Sequence, residues 1–197
     1  MTAEAVMIAV WIVWLVLWWG AAFWSDRAVK APPRRYELVY RVFPALGGGL
    51  LFGVRSEELR LWHTPGVIAW MMVAVALAGF MFTWWARIHL GRLWSSSVSR
   101  KAEHHIVDTG PYGIVRHPIY TGIIVASVAA AAQRGTGQAW LGMGLMTLGW
   151  YIKARLEEGF LRAELGADAY NAYAHRVPML LPGMINPRGS RPSDSLG

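Results

Sequence analysis

The chain contains no cysteine, and this absence limits the chemistry that it can perform. Without a thiol there is no disulfide, no thiolate nucleophile and no zinc–thiolate site. Acidic residues are also few, 12 against 19 Lys and Arg, which gives a formal net charge of +7. No Gly-x-Gly-x-x-Gly motif follows a predicted strand, which disfavours a Rossmann domain. No basic stripe carries a nucleic-acid-binding motif either, so we expect no nucleic-acid partner.

Apolar residues are abundant instead, and they occur in long blocks. Residues 5–24 form a run of 20 without a charge, which as a helix spans roughly the 30 Å core of a bilayer. Residues 65–86 form a second block, which ends in a Trp pair suited to the headgroup level. Both blocks predict transmembrane helices. A secretory signal is the alternative for the first block, but residues 1–4 carry no basic residue and the run exceeds a signal core.

Three further segments are shorter or more polar: 38–54, 119–132 and 138–152. The last two are separated by "QRGTG", which predicts a helical hairpin whose small residues allow close helix contact. The triplet "GGG" at 47–49 predicts a close helix crossing or a kink.

The distribution of basic residues supports a topology of five spans. With the N terminus outside, 15 of the 19 Lys and Arg residues fall on the cytoplasmic side, where positive charge collects. We therefore predict an all-α, polytopic helical bundle of about five transmembrane helices, an integral membrane protein whose C-terminal region lies on the cytoplasmic side. Residues 1–86 would be the scaffold, 87–185 the functional core and 186–197 a disordered tail. The sequence does not indicate an oligomeric state.

The motif "GPYGIVRHPIYTG", residues 110–122, concentrates polar groups just before an apolar run. Pro118 fits the first turn of a helix, where its missing N–H costs nothing. His117 and Arg116 then lie at the helix start, where free N–H groups and the helix dipole favour an anion. The alternative is an interfacial belt, with Arg116 and the tyrosines at headgroup level.

The second concentration of polar groups is the acidic pair Glu157 and Glu158. "KARLEEGFL" predicts a helix, on which Glu157 shares an apolar stripe with Leu161 and Leu165. At least one carboxylate then faces inward near the membrane, where ionisable groups are usually paired or functional. Pairs with Lys153 or Arg155 on an exposed surface are the alternative. No two histidines show the spacing of a helical metal site, so we expect no metal.

Taken together, these stretches resemble the isoprenylcysteine carboxyl methyltransferase family, within the wider group that includes phospholipid N-methyltransferases. The resemblance covers residues 87–182. It consists of "HLGRLWS" at 89–95, His104 followed by "HIV" and "TGPY", then "RHPIYTG", an apolar hairpin, "EE" at 157–158 and "LGADAYNAYAHRVPMLLP". An ordered set of this kind is far more specific than any one of its parts.

The resemblance implies a membrane methyltransferase that binds S-adenosylmethionine at the cytoplasmic face. The residues that it assigns to cofactor binding are His104, Val107, Tyr112, His117, Pro118, Tyr120 and Glu157. Those that it assigns to catalysis are Arg116, Arg155 and Glu158, and Lys153 or Arg155 would face the acceptor. The partners expected are membrane lipids and a lipophilic acceptor, of the isoprenylcysteine carboxylate type; a phospholipid amine or a small thiol or other lipophilic molecule is the alternative.

Two other classes compete with this interpretation. Membrane sterol reductases have a related "RHP.Y" signature and use NADPH, but an acidic pair would repel a phosphorylated cofactor. A non-catalytic scaffold is the second, and it predicts that cofactor affinity does not depend on His117 or Glu157.

Overall fold

The computed structural model describes residues 1–21, 34–53, 57–91 and 106–183. Regular structure in these ranges is helical, as predicted. The α-helices are α1 (Ala3–Ala21), α2 (Arg34–Gly48), α3 (Gly66–Leu90), α4 (Pro111–Ile114), α5 (Pro118–Arg134), α6 (Gly137–Leu165) and α7 (Ala167–Arg176). A π-helical turn, Gly49–Gly53, continues α2, and a short 3₁₀ turn occupies Glu57–Leu59. His104 and the tail 186–197 lie outside the described residues.

Helices α1 and α3 are long and apolar enough to cross a membrane, with 19 and 25 residues. Both keep large apolar side chains exposed, among them Val16 and Trp19 on α1 and Met71 and Met81 on α3. A core helix of a soluble protein would bury such groups, whereas a helix in lipid need not. The described residues thus contain two candidate spans, and the remaining crossings and the orientation stay predictions.

The helical hairpin predicted at 119–152 is confirmed as α5 and α6. Gly135 ends α5 in the left-handed conformation (φ 64°), and the side chain of Thr136 caps α6 by accepting a hydrogen bond from the Ala139 N–H at 3.3 Å. Helix α6 joins the predicted hairpin segment 138–152 and the helix predicted over "KARLEEGFL" into one continuous helix, which ends at Leu165. The second of these segments carries the acidic pair beyond the apolar part of the bundle.

Small residues bring the helices close enough to build the bundle. Gly122 of α5 lies directly against the backbone of Gly79 in α3, and a Cβ atom at Gly79 would stand 2.6 Å from the Gly122 carbonyl oxygen. Gly47 of α2 meets Gly142 of α6 in the same way, with 2.5 Å from a Cβ to the facing carbonyl oxygen. The predicted close crossing at the glycine triplet is therefore confirmed. Helix α5, nearly all of it buried, is the central element that presents its N-terminal end to the site.

Candidate active site

The candidate site begins where α5 starts, at a junction that the C-terminal segment covers. The Arg116 N–H donates to the Pro178 carbonyl at 2.8 Å, and the His117 N–H donates to the Met179 carbonyl at 3.1 Å. The Thr121 hydroxyl lies 2.7 Å from the Leu180 carbonyl. We call residues 177–181 the strap. The N–H groups of Arg116 and His117 are thus not free to bind an anion, because buried backbone donors need partners and the strap supplies them.

Glu158 is the most deeply buried member of the site, with no exposed side-chain surface. Its Oε1 accepts a hydrogen bond from Arg116 Nε at 2.7 Å and lies 3.3 Å from His117 Nε2, and its Oε2 lies 3.5 Å from Arg162 Nη2. Burial raises the pKa of Glu158, but the hydrogen bonds from His117 and Arg116 outweigh burial and lower it to about 2. Glu158 is therefore a carboxylate at neutral pH.

Glu157 lies beside it and has a different set of partners. The Tyr120 hydroxyl donates to its Oε1 at 2.6 Å, His117 Nδ1 lies 3.6 Å from its Oε2, and Lys153 Nζ lies 4.0 Å from its Oε1. His117 thus connects the two carboxylates through its two ring nitrogens. Burial lowers the pKa of His117, but the two glutamates raise it by more, so the net pKa lies above the ordinary value of 6.5 and the imidazolium is favoured.

A column of aromatic rings continues from this cluster. The Tyr120 ring stacks on the His117 ring with centroids 5.5 Å apart, and on the Trp150 ring with centroids 5.2 Å apart. Tyr40 of α2 is buried next to Lys153. Neither Tyr40 nor Trp150 is predicted by a sequence pattern: Tyr40 lies 80 residues from Tyr120, and Trp150 is one of 12 tryptophans.

The other predicted residues are placed as follows. Tyr112 is buried in α4, and its carbonyl accepts a hydrogen bond from the Tyr173 hydroxyl at 2.7 Å. Burial and the charge of Glu157 raise the pKa of Tyr112, which places the ring within electrostatic reach of the cluster. Val107 is partly buried against the main core, and Pro118 is fully buried at the start of α5.

Of the two basic residues predicted to face the acceptor, Lys153 is buried in the cluster, whereas Arg155 is exposed. Arg155 is two positions after Lys153, which corresponds to a rotation of about 200° around a helix, so the two side chains point to different sides of α6. The structure therefore brings together Arg116, His117, Tyr120, Lys153, Glu157 and Glu158, and it does not bring in Arg155. Glu158 pairs with Arg116 and Arg162 rather than with Arg155.

The chemical capacity of the arrangement follows from these contacts. It offers one partly accessible carboxylate, Glu157, next to stacked aromatic faces, which suits an organic cation. Arg116 donates hydrogen bonds to Glu158 and to the carbonyls of Ala174 and Val177. Its buried side chain therefore connects the start of α5 with α6, α7 and the strap.

Comparison with known proteins finds a family model and two curated relatives that are similar to this part of the chain. Residues 71–158 match the model of the isoprenylcysteine carboxyl methyltransferase (ICMT) family, a range that includes both glutamates and the motif at 110–122. Methanethiol S-methyltransferase 2 of Bradyrhizobium diazoefficiens is 30% identical over 136 residues, 64% of this chain and 51% of that protein. The cobalt-zinc-cadmium resistance protein CzcN of Cupriavidus metallidurans is 28% identical over 145 residues, 71% and 60% of the two chains.

The chain spans between one half and three fifths of the length of these two relatives. The ordered motifs, the two apolar helices and the family match agree with one another. On these grounds residues 71–158, which carry the candidate site, are identified as similar to the isoprenylcysteine carboxyl methyltransferase family.

Proposed function

We propose that the chain is a membrane methyltransferase that uses S-adenosylmethionine and methylates a lipophilic acceptor, most readily a carboxylate of the isoprenylcysteine type. The observation that carries this proposal is the cluster at the start of α5, where Glu157 lies between the Tyr120 hydroxyl at 2.6 Å and His117 at 3.6 Å. The cluster lies beyond the apolar segment of α6, where a water-soluble donor and a lipid-soluble acceptor can both arrive.

The residues present fit the methyl donor by charge and shape. S-adenosylmethionine carries a sulfonium, an ammonium, a carboxylate and an adenine ring. Glu157 and the Tyr120 and Trp150 rings suit its cationic groups. Arg162, whose side chain is about one third exposed at the edge of the cluster, suits its carboxylate. When bound, the donor supplies the methyl group and a thioether leaving group.

In this proposal the protein accelerates methyl transfer by positioning the two reactants rather than by acid–base catalysis. Arg116 and Glu158 fix the start of α5 against α6 and the strap, and His117 holds the Glu157 carboxylate in place. Orientation of two reactants contributes up to about 7–11 kcal/mol in favourable cases. In this account Arg116 and Glu158 are positioning residues, while Glu157, Tyr120 and Lys153 touch the ligands.

The protonation states of the cluster favour a carboxylate acceptor. A carboxylate is nucleophilic without losing a proton, whereas an amine or a thiol needs a base. Glu158, with its pKa lowered to about 2, is a poor base, and His117 is held between the Glu157 and Glu158 carboxylates, which raise its pKa and favour its protonated form. Glu158 is therefore unsuited to remove a proton from an amine acceptor.

Thiol S-methylation is the second candidate, favoured by the 30% identity to a protein named methanethiol S-methyltransferase. The thiolate is the nucleophilic form of a thiol, so this acceptor has to lose its proton before or during methyl transfer. This acceptor would fit the same cluster.

The test offers methyl-labelled S-adenosylmethionine and three acceptors, a farnesylcysteine analogue, phosphatidylethanolamine and an alkanethiol, to the full chain in detergent micelles. The proposal predicts label in the farnesylcysteine product as an ester that mild base releases as methanol. Label in a base-stable thioether would establish the second candidate instead. Labelling of none of the acceptors, or labelling that Glu157→Gln leaves unchanged, would overturn the proposal. Glu58→Gln, at an exposed position in the 3₁₀ turn, is the matched control.

A further inference from the structure

The side chain of Lys153 lies among three aromatic rings that come from three different helices. Its Nζ is 5.4 Å from the ring centroid of Tyr40 in α2, 5.4 Å from that of Tyr120 in α5 and 5.8 Å from that of Trp150 in α6. Each distance is within the range of about 6 Å over which a ring face attracts a cation. We call Tyr40, Tyr120 and Trp150, together with Glu157, the cation box.

The box is buried and carries one carboxylate. Tyr40 is 2% exposed and Lys153 is 6% exposed. Glu157 Oε1 is 4.0 Å from Lys153 Nζ and also accepts the Tyr120 hydroxyl hydrogen bond. Aromatic faces with a nearby carboxylate are the chemistry that recognises methylated onium cations. A primary ammonium is more strongly hydrated than a methylated onium group, so it loses more on entering such a box.

We propose that the cation box is the sulfonium subsite, and that Lys153 occupies it only while the methyl donor is absent. This inference rests on the proposed function. Two cations within a few ångströms in a buried site repel each other, so Lys153 and a sulfonium cannot share the box. The four-carbon stem of Lys153 is flexible enough for its ammonium to withdraw when the sulfonium enters.

The exchange has a consequence for turnover. During methyl transfer, the acceptor lone pair forms a bond to the methyl carbon, and the electron pair of the sulfur–methyl bond stays on sulfur. The sulfonium becomes a neutral thioether, and the positive charge in the box is lost. Lys153 then returns to the three rings and to Glu157. The box therefore discriminates the charged donor from the uncharged product.

Calorimetric titration of the full chain in detergent with S-adenosylmethionine and with S-adenosylhomocysteine tests this inference. Trp150→Leu is expected to weaken donor binding about three- to thirtyfold more than product binding, as expected for the loss of one cation–ring contact. Lys153→Met removes the competing cation, so donor affinity rises while product affinity stays the same. Tyr40→Phe keeps the ring face and keeps the donor-to-product ratio.

The matched control is Trp140→Leu, in the same helix but about 15 Å away, where the ring lies against Trp62. It should leave the ratio unchanged. The inference is overturned if Trp150→Leu weakens both ligands equally, or if Lys153→Met fails to strengthen donor binding. Because Lys153→Met replaces one long side chain by another, it remains informative even if Trp150→Leu does not fold. Failure of the wild-type chain to bind either ligand would overturn the proposed function itself, which is a different result.

Discussion

Replacement of Glu158 by glutamine tests how much the buried ion pairs of this carboxylate stabilise the fold. The side chain has no exposed surface and faces Arg116 at 2.7 Å, His117 at 3.3 Å and Arg162 at 3.5 Å. A pKa lowered from 4.5 to about 2 corresponds to about 3 kcal/mol of preferential stabilisation of the carboxylate in the folded chain. Removal of one partner from a buried ion pair costs about 3–5 kcal/mol in proteins, which is of the same size.

Glu158→Gln keeps the shape and removes the charge, so we expect a loss of about 3 kcal/mol in the free energy of unfolding. For a chain of this size that loss lowers the melting temperature by about 6–12 °C. The assay is thermal unfolding in detergent at pH 7, followed by tryptophan fluorescence, with Glu58→Gln as the control.

The pH dependence gives a second check on the same variant. A carboxylate whose pKa is lowered on folding stabilises the fold above the unfolded pKa, and that stabilisation is lost as the pH falls through the folded pKa. The difference between wild type and Glu158→Gln should therefore shrink as the pH falls from about 4.5 toward about 2. Equal melting temperatures of Glu158→Gln and Glu58→Gln at pH 7 would refute the reasoning.

Two further predictions concern His117 and the helix crossings. Because the pKa of His117 is raised on folding, its charge stabilises the fold below about pH 6.5, and this contribution disappears as the pH rises through the folded pKa. The melting-temperature difference between wild type and His117→Gln should therefore shrink as the pH rises, and a difference that grows instead would contradict this assignment. Gly122→Ala should destabilise the chain by about 1–3 kcal/mol, because its Cβ would overlap the Gly79 carbonyl and lie 2.6 Å from the Thr83 side chain. Gly144→Ala, which has open space around it, should be neutral or slightly stabilising. Equal unfolding free energies of the two variants would contradict the close α3–α5 crossing.

Much of the fold could be predicted from the sequence, because a membrane helix requires a long apolar segment with few or no charges, which is visible in the sequence. The uncharged run at 5–24 and the block at 65–86 correspond to α1 and α3, and "QRGTG" corresponds to the turn between α5 and α6. The continuity of α6 was not predicted, because the segment 138–152 was identified by its apolar length and "KARLEEGFL" by its periodicity, as two separate helical segments.

The parts of the candidate site that depend on short-range sequence patterns could also be predicted. The helix start at Pro118 and an inward carboxylate on α6 both follow from short-range patterns, and the structure confirms them. The strap and the cation box could not be predicted from the sequence, because they depend on contacts between residues far apart in the chain, such as Arg116 with Pro178 and Lys153 with Tyr40. A backbone carbonyl and one of 7 tyrosines carry no signal of their own in a sequence.

The most direct test of the central claim is the equilibrium binding of S-adenosylmethionine to the wild-type chain and to Glu157→Gln, measured by calorimetry in detergent. The account predicts that the wild type binds the methyl donor and that Glu157→Gln binds it about 10- to 150-fold more weakly, as expected for loss of a charged hydrogen bond. Glu58→Gln should bind like the wild type. Equal affinities of the wild type and Glu157→Gln, or binding of NADPH in place of the methyl donor, would contradict the account.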